Sequence, residues 1–189
     1  MKKIVCSTLV CMIMSLISCD KIKEATSIDF HVNGVNFQFS AVSNAETSTK
    51  SAEEVTLRAL PQTFTVTRTV DIAELGDPDV IKYADKINNV EVSNAQIVVT
   101  SIPEGDYTIE NLTVTAVGVT GSLVVDRSFT TNSAFTLLPT SNAFTKDFIL
   151  KLRKAKSVPV TVTGKTDAPA GTTIHISYES DLLFTANIF

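Results

Sequence analysis

The sequence contains no tryptophan, only three cysteines and two histidines, and no excess of positive charge. With 16 basic and 20 acidic residues its formal net charge is -4, so the chain lacks the excess of basic residues that is typical of nucleic-acid-binding proteins. A Gly-rich phosphate loop and a nucleophile elbow are also absent from the sequence. These absences exclude the sequence signatures of nucleic-acid binding, phosphate cradling and serine hydrolase chemistry.

The first 19 residues have the organisation of a lipoprotein signal. Lys2-Lys3 precede a 14-residue apolar run over residues 4–17. A membrane-spanning helix needs about 20 apolar residues, whereas a shorter run suits the core of a removable signal peptide. The run ends at Leu16, Ile17, Ser18 and Cys19. These four residues resemble the lipobox of bacterial lipoproteins, and the resemblance implies cleavage before Cys19 and a diacylglyceryl group on its sulfur.

Cleavage before Cys19 divides the chain into a signal peptide (1–18), a lipidated tether (19–25) and a single folded domain (26–189). Cys6 and Cys11 leave with the signal, so the mature chain is expected to lack a thiol for catalysis or metal binding. Loss of Lys2 and Lys3 leaves 14 of the 16 basic residues against 20 acidic ones. Membrane attachment is therefore expected to depend on the acyl chains.

The remaining chain is rich in the residue types that favour β-strands. Its threonines, 25 in the whole sequence, repeatedly alternate with β-branched or aromatic residues, which is the pattern of half-buried strands. A mature chain of about 170 residues suits one domain that buries roughly 70% of its unfolded surface. The predicted strands cover residues 55–60, 62–70, 90–100, 107–117, 122–130, 158–163, 172–178 and 182–188.

Two β-hairpins are predicted near the ends of the domain. Asn33-Gly34 lies between two alternating runs, which is a strong hairpin signal because a type I′ turn needs positive φ at both central positions. This register pairs Val32 with Val35 and puts the apolar side chains of both runs on one face. A second turn over residues 179–181 is predicted to pair the last two strands.

Two helices are predicted to interrupt the strands. The first begins with Asp77 as N-cap and Pro78 at the first helical position, and it ends at Asn88-Asn89. The second covers residues 143–155. Each is followed by a strand, a turn with proline or glycine, and another strand, which suggests a divergent repeat. The apolar positions of the two helices are Val80, Ile81, Ala84 and Ile87, and Phe144, Phe148, Ile149 and Leu152.

Acidic and histidine side chains suggest metal chemistry, but capping and exposure explain them more simply. Glu74, Asp77 and Asp79 could offer oxygens to calcium, yet their spacing is not that of an EF-hand and the two aspartates suit the start of a helix. His31 and His175 could bind a metal, but each alternates with apolar neighbours and is expected on the solvent face of a strand. We predict no catalytic residue, no metal and no cofactor.

Basic and aromatic residues supply the remaining candidate contacts. The cluster Lys151, Arg153, Lys154 and Lys156 could meet an anionic partner or lipid headgroups, but a helix C-terminus also favours cations. Sugar-binding modules often present aromatic platforms, and without tryptophan only tyrosine combines a stacking ring with a polar tip. The candidate ligand contacts are therefore Tyr83, Tyr107 and Tyr178.

The pattern of the whole mature chain, with the segments 79–90 and 142–152 between Thr- and Val-rich strands, resembles β-sandwich lipoproteins of the Bacteroidota. The resemblance implies an immunoglobulin-like antiparallel β-sandwich with two inserted or crossover α-helices, and it supplies no catalytic residues. Asp20 resembles an inner-membrane retention signal, but the family resemblance favours the outer membrane.

These observations together predict a lipid-anchored, non-catalytic binding or structural module of the cell envelope. Its expected contacts are the membrane, through Cys19, and an envelope protein partner. A carbohydrate-binding accessory protein of a glycan uptake system is the second hypothesis, and a small envelope hydrolase is the third.

Overall fold

A computed structural model describes residues 27–44 and 61–187 of the chain. The predicted signal peptide, the lipobox with Cys19, the tether and the predicted strand over 55–60 lie outside the described residues. Within the described residues the fold is mainly β, as predicted. The nine strands are β1 Ser27–Val42, β2 Gln62–Asp71, β3 Ile87–Ile102, β4 Thr108–Ala116, β5 Leu123–Val125, β6 Phe129–Thr130, β7 Ser133–Thr136, β8 Ser157–Thr166 and β9 Thr173–Asn187.

The strands form two antiparallel sheets that pack face to face, so the predicted β-sandwich is confirmed. One sheet has the order β1-β9-β3-β7, and the other has the order β2-β8-β4-β5 with β6 also paired to β4. Each of the connections β1–β2, β2–β3, β3–β4 and β8–β9 crosses from one sheet to the other. Alternate residues of each long strand are buried between the sheets, as the alternation of Thr with Val, Ile and Phe predicts.

The predicted hairpin at Asn33-Gly34 is wrong. β1 continues through this dipeptide and pairs along its whole length with β9, so Val32 lies opposite Leu182 and Val35 opposite Ser180. Two residues of β1 therefore face one residue of β9, which defines a β-bulge. Gly34 adopts φ +67° in the bulge, so the positive φ inferred from the sequence belongs to a bulge rather than to a turn.

The predicted turn over 179–181 is also wrong, because β9 runs without interruption from Thr173 to Asn187. β9 is the second strand of its sheet and pairs with β1 on one side and β3 on the other. Backbone hydrogen bonds on both edges hold the segment extended, whereas its polar residues alone suggest a loop.

The two predicted helices exist, but the first is much shorter than predicted. Helix α1 covers Pro78–Lys82, and Asp77 caps it by accepting a 2.7 Å hydrogen bond from the Asp79 amide. A turn follows and β3 begins at Ile87, so the predicted apolar stripe is divided between helix, turn and strand. Helix α2 covers Asn142–Ala155 as predicted, and all four of its predicted apolar positions are buried.

Helix α2 lies beside the first half of β3, where β7 does not reach. The Asn142 side-chain amide donates to the Val92 carbonyl oxygen at 3.0 Å, and an Arg153 guanidinium nitrogen donates to the Ala84 carbonyl oxygen at 3.1 Å. The helix thus covers part of an edge that strand β7 leaves open. The predicted strand over 122–130 is divided into β5 and β6, and the short strand β7 and the 3-10 helices Ile72–Leu75 and Pro139–Ser141 were not predicted.

The strand directions give the sandwich two different ends. At one end β1 begins, β9 ends and β3 begins, and helix α2 finishes there; we call it the Ser27 end. The Asn187 amide donates to the Lys86 carbonyl oxygen at this end. The opposite end, which we call the Thr173 end, carries the two turns over 103–107 and 167–172.

Candidate functional site

The three candidate tyrosines lie in separate parts of the molecule. Tyr83 is half-buried near the Ser27 end, 6.2 Å from the Phe30 ring centroid, with the Lys82 ammonium 4.6 Å from its own centroid. A hydrogen bond with Tyr83 raises the pKa of Lys82. Tyr107 is half-buried at the Thr173 end, beside Gly105. The structure therefore does not assemble an aromatic platform from these residues.

Tyr178 is a core residue, so its prediction as a ligand contact is wrong. Only 8% of the residue is exposed, and its hydroxyl donates to the Thr145 hydroxyl of α2 at 3.1 Å. Its ring stacks on Phe37, whose own ring meets Phe148 of α2 edge-on. Burial raises the pKa of Tyr178. A tyrosine on the inner face of a strand needs a hydrogen-bond partner, and α2 supplies it here.

The two histidines lie far apart on one sheet. His31 of β1 is exposed and faces Leu183, whereas His175 of β9 is half-buried and shares a 2.8 Å hydrogen bond with the Ser40 hydroxyl. Positions 175 and 183 of the extended β9 are separated by about 26 Å at roughly 3.3 Å per residue. They cannot bind one ion together, and the prediction that each lies on the solvent-facing side of a strand is confirmed.

The acidic residues around Gly76 act as helix caps. Asp71 and Glu74 form a capping box on the 3-10 helix, and Asp77 caps α1. Glu74 also accepts a 2.8 Å hydrogen bond from the Arg68 guanidinium. In the part of the chain that the structure describes, no group of three or more His, Cys, Asp and Glu residues is arranged to hold a metal ion.

A cavity of about 40 Å³ lies in the core between the two sheets and α2. Its walls are almost entirely apolar and include Phe39, Phe148 and Ile176. Small-molecule sites usually enclose about 300–1,000 Å³. This cavity is therefore a packing void rather than a ligand site.

A larger cleft of about 340 Å³ opens at the surface between the loop after β4 and the start of α2. Its polar groups are the hydroxyls of Thr120, Ser122, Thr140 and Ser141 and the carboxylate of Asp147, and Phe144 and Leu123 form its apolar floor. Hydroxyl and carboxylate groups beside an apolar floor suit a small polyhydroxylated ligand. This cleft could not be predicted from the sequence, because loop and helix residues twenty positions apart form it together.

Two carboxylates on the outer face of β9 hold its neighbouring strands. Glu179 accepts hydrogen bonds from the side-chain amides of Asn36 in β1, at 3.3 Å, and Gln96 in β3, at 2.7 Å. The two amides donate to different oxygens of the carboxylate. Each oxygen thus ties one neighbouring strand to the centre of the sheet.

Asp181 repeats this arrangement two residues later, where the bulges occur. One oxygen accepts from the Asn94 amide of β3 at 2.7 Å, and the other from the backbone N–H of Gly34 in β1 at 2.8 Å. Asn94 adopts φ +51° where β3 also shifts register. The hydrogen bonds from Asn94 and Gly34 lower the pKa of the Asp181 carboxyl. We call Glu179 and Asp181 together the carboxylate ladder; its role is structural.

The predicted basic cluster lies at the C-terminus of α2. Arg153 donates to the Ala84 carbonyl, as described above, and the Lys156 ammonium lies 3.3 Å from an Asp85 carboxylate oxygen. Lys156 also ends the helix in a left-handed conformation. The prediction of cations at a helix end is confirmed, and these cations also face the turn that precedes β3.

Neither a protein-family model nor a curated protein matches this chain.

Proposed function

We propose that the chain is a lipid-anchored, non-catalytic module of the cell envelope that binds a protein partner. The observation that carries the proposal is the sequence Leu16-Ile17-Ser18-Cys19 at the end of a short apolar run preceded by two lysines. Anchoring through Cys19 on the outer membrane would hold the Ser27 end near the bilayer, because residues 20–25 span at most about 20 Å.

The orientation of the sandwich supports partner binding at its other end. An anchor at the Ser27 end leaves the turns over 103–107 and 167–172 at the farthest point from the bilayer. These turns carry exposed acidic groups and, beside them, Ile102, whose exposed fraction is 63%. Loops on a rigid sandwich are a frequent position for binding residues. Within the described residues no helix is long and apolar enough to cross a membrane.

The anchor is tested by Cys19→Ala. We expect the variant to incorporate no labelled fatty acid, and to leave the membrane fraction or to remain unprocessed, because the acylated sulfur is removed. The full wild-type chain expressed at the same level is the control. Acyl labelling that persists in Cys19→Ala would contradict the assignment.

The partner is tested by a photo-crosslinking amino acid placed at Ile102 in the full-length, acylated chain. Irradiation in intact cells should give one discrete adduct from Ile102, because the Thr173 end faces away from the bilayer. Ile81, exposed at the Ser27 end, is the matched control position. The absence of any protein adduct at Ile102 would count against a protein partner at this end.

The surface cleft supports a second candidate function, the binding of a glycan by an accessory protein of an uptake system. Asp147 is its one charged group, and a carboxylate commonly orients sugar hydroxyls through charge-assisted hydrogen bonds. Affinity electrophoresis in polysaccharide gels should retard the wild-type chain and not Asp147→Ala, while Asp126→Ala, outside the cleft, should behave as wild type. Equal mobility in every gel would reject this function.

A further inference from the structure

Basic side chains gather at the Ser27 end although the chain as a whole is acidic. The described residues contain ten basic side chains, and six of them belong to the end of α1, the turn before β3, or the second half of α2 with its C-cap residue. Lys82, Lys86, Lys154 and Lys156 are exposed, while Lys151 and Arg153 are half-buried. The contacts of Arg153 with Ala84 and of Lys156 with Asp85 show that these segments are adjacent.

The acidic groups of this end are largely occupied by local contacts. Asp71 and Asp77 cap helices, Glu74 is paired with Arg68, and Asp85 is paired with Lys156. With Arg68, Lys146, Asp29, Asp79 and Glu91 included, this end holds eight basic and seven acidic residues, whereas the rest of the described chain holds two basic and eight acidic residues. Charge is thus segregated along the long axis of the sandwich.

Two exposed apolar side chains lie at the same end. Ile81 on α1 is 52% exposed, and Val117, in the loop that follows β4, is 63% exposed. The amide of Val117 donates to the Pro159 carbonyl oxygen near the start of β8, and Lys151 of α2 lies beside the neighbouring Gly118. Surfaces that bind to the headgroup region of a bilayer typically combine lysines with exposed apolar side chains.

The chain path brings this surface to the membrane. Ser27 pairs with Asn187, and the Asn187 amide donates to the carbonyl oxygen of Lys86. The first described residue is therefore adjacent to the basic turn. A tether over residues 20–25 that spans at most about 20 Å would keep these lysines near the bilayer surface whenever Cys19 is acylated.

We propose that the Ser27 end is a lipid-facing surface that recognises anionic phospholipid headgroups. Lys82, Lys86, Lys154 and Lys156 contact the headgroup phosphates, and Ile81 inserts at the boundary with the acyl chains. This inference rests on the proposed lipid anchor. Each lysine close to an anionic leaflet raises the equilibrium constant for contact between this surface and the bilayer roughly fivefold. Salt weakens this contribution by screening.

The lack of tryptophan makes the surface directly testable. Ile81→Trp and Ile102→Trp each introduce a single indole, at the Ser27 end and the Thr173 end respectively. The acylated full chain of each variant is reconstituted into vesicles with brominated acyl chains, made of phosphatidylcholine with or without phosphatidylglycerol. We expect the emission of Ile81→Trp to shift to shorter wavelength and to be quenched in the vesicles with phosphatidylglycerol, and that of Ile102→Trp to remain unchanged.

Charge is tested in the Ile81→Trp background by changing Lys82, Lys86, Lys154 and Lys156 to Gln. The quenching should be lost, and in the parent it should also weaken as salt is raised. An unchanged melting temperature shows that the substituted protein is folded. Quenching of Ile81→Trp that is equal in both lipid mixtures, or that survives the four substitutions, would overturn headgroup recognition.

Failure of the anchor and failure of this inference give different results. A chain that incorporates no labelled fatty acid would overturn the proposed anchor. A labelled, vesicle-bound chain whose Ile81→Trp emission is not quenched would overturn the lipid-facing surface alone. Quenching of Ile102→Trp instead would indicate that the sandwich lies in the opposite orientation.

Discussion

At the scale of single residues, the carboxylate ladder fixes the position of β9 relative to its neighbours. Every oxygen of Glu179 and Asp181 accepts a hydrogen bond from β1 or β3. Hydrogen bonds to charged acceptors are stronger than those between neutral groups. A register slip of one residue would move both carboxylates to the core face, so these residues favour one alignment of three strands.

Asp181→Asn should make the protein less stable at neutral pH and remove part of its acid sensitivity. The folded pKa of Asp181 is lowered by Asn94 and Gly34, so its contribution is complete above the unfolded pKa and is lost as pH falls through the folded value. The asparagine side chain of this variant has only one acceptor oxygen, so its amide nitrogen has to face either the Asn94 side-chain amide or the Gly34 N–H, and both of these groups are donors. Thermal unfolding should show a lower Tm for the variant at pH 7 and a gap that closes below about pH 4.

The control for this prediction is Asp126→Asn, whose carboxylate belongs to a different part of the fold. Its Tm should follow that of the wild type from pH 7 to pH 2. A constant gap between wild type and Asp181→Asn over the same range would show that the carboxylate charge is not what stabilises the bulges.

At the scale of elements, polar and glycine residues in the middle of β1 and β9 led to two predicted turns that the structure replaces with long strands. Asn33-Gly34 and Glu179-Ser180-Asp181 do carry turn chemistry. In the structure they lie opposite each other, and the extra residue of β1 is absorbed as a bulge around Asp181. Local propensity therefore identified the irregular position, while the choice between turn and bulge depended on the pairing strand.

The β1 bulge should require glycine at position 34 for its backbone conformation and not for lack of room for a side chain. No atom lies within 4 Å of a Cβ added at Gly34, but its φ is +67°. Gly34→Ala should therefore cost about 1–2 kcal/mol in free energy of unfolding, measured by urea denaturation. Gly34→Asn should cost less, because Asn tolerates this conformation and Asn94 adopts φ +51° in β3. An Asn variant less stable than the Ala variant would contradict this account.

At the scale of the whole molecule, helix α2 joins the two sheets. It packs on β3 in one sheet and on β8 in the other, and Ile149 and Leu152 are completely buried between them. Phe148 reaches Phe37 of β1, and the hydroxyl of Thr145 accepts from Tyr178 of β9. Neither sheet has a complete core without the helix and the other sheet.

The sandwich should consequently unfold as one unit. Urea transitions followed by far-UV circular dichroism, which reports the strands, and by near-UV circular dichroism, which reports the packed Tyr and Phe rings, should coincide. Leu152→Ala, which empties a fully buried position on α2, should lower the free energy of unfolding by about 2–5 kcal/mol and keep the transitions coincident. Lys154→Ala, at an exposed position two residues further along α2, should change the free energy of unfolding little. Separate transitions for the two probes would show that the sheets are independent.

Local periodicity and capping are sufficient to predict the strand-rich class, helix α2 and the start of α1, and a contiguous motif is sufficient to predict a lipobox. Local patterns could not predict that β1 and β9 are unbroken, that Tyr178 is buried or that Lys82 and Lys86 lie beside the basic end of α2. These outcomes depend on residues far apart in sequence: the pairing of β1 with β9, the position of α2, and the end of the sandwich at which β1 begins. A net charge of -4 averages over the whole chain, and only the fold separates an end that carries most of the basic side chains from a strongly acidic remainder.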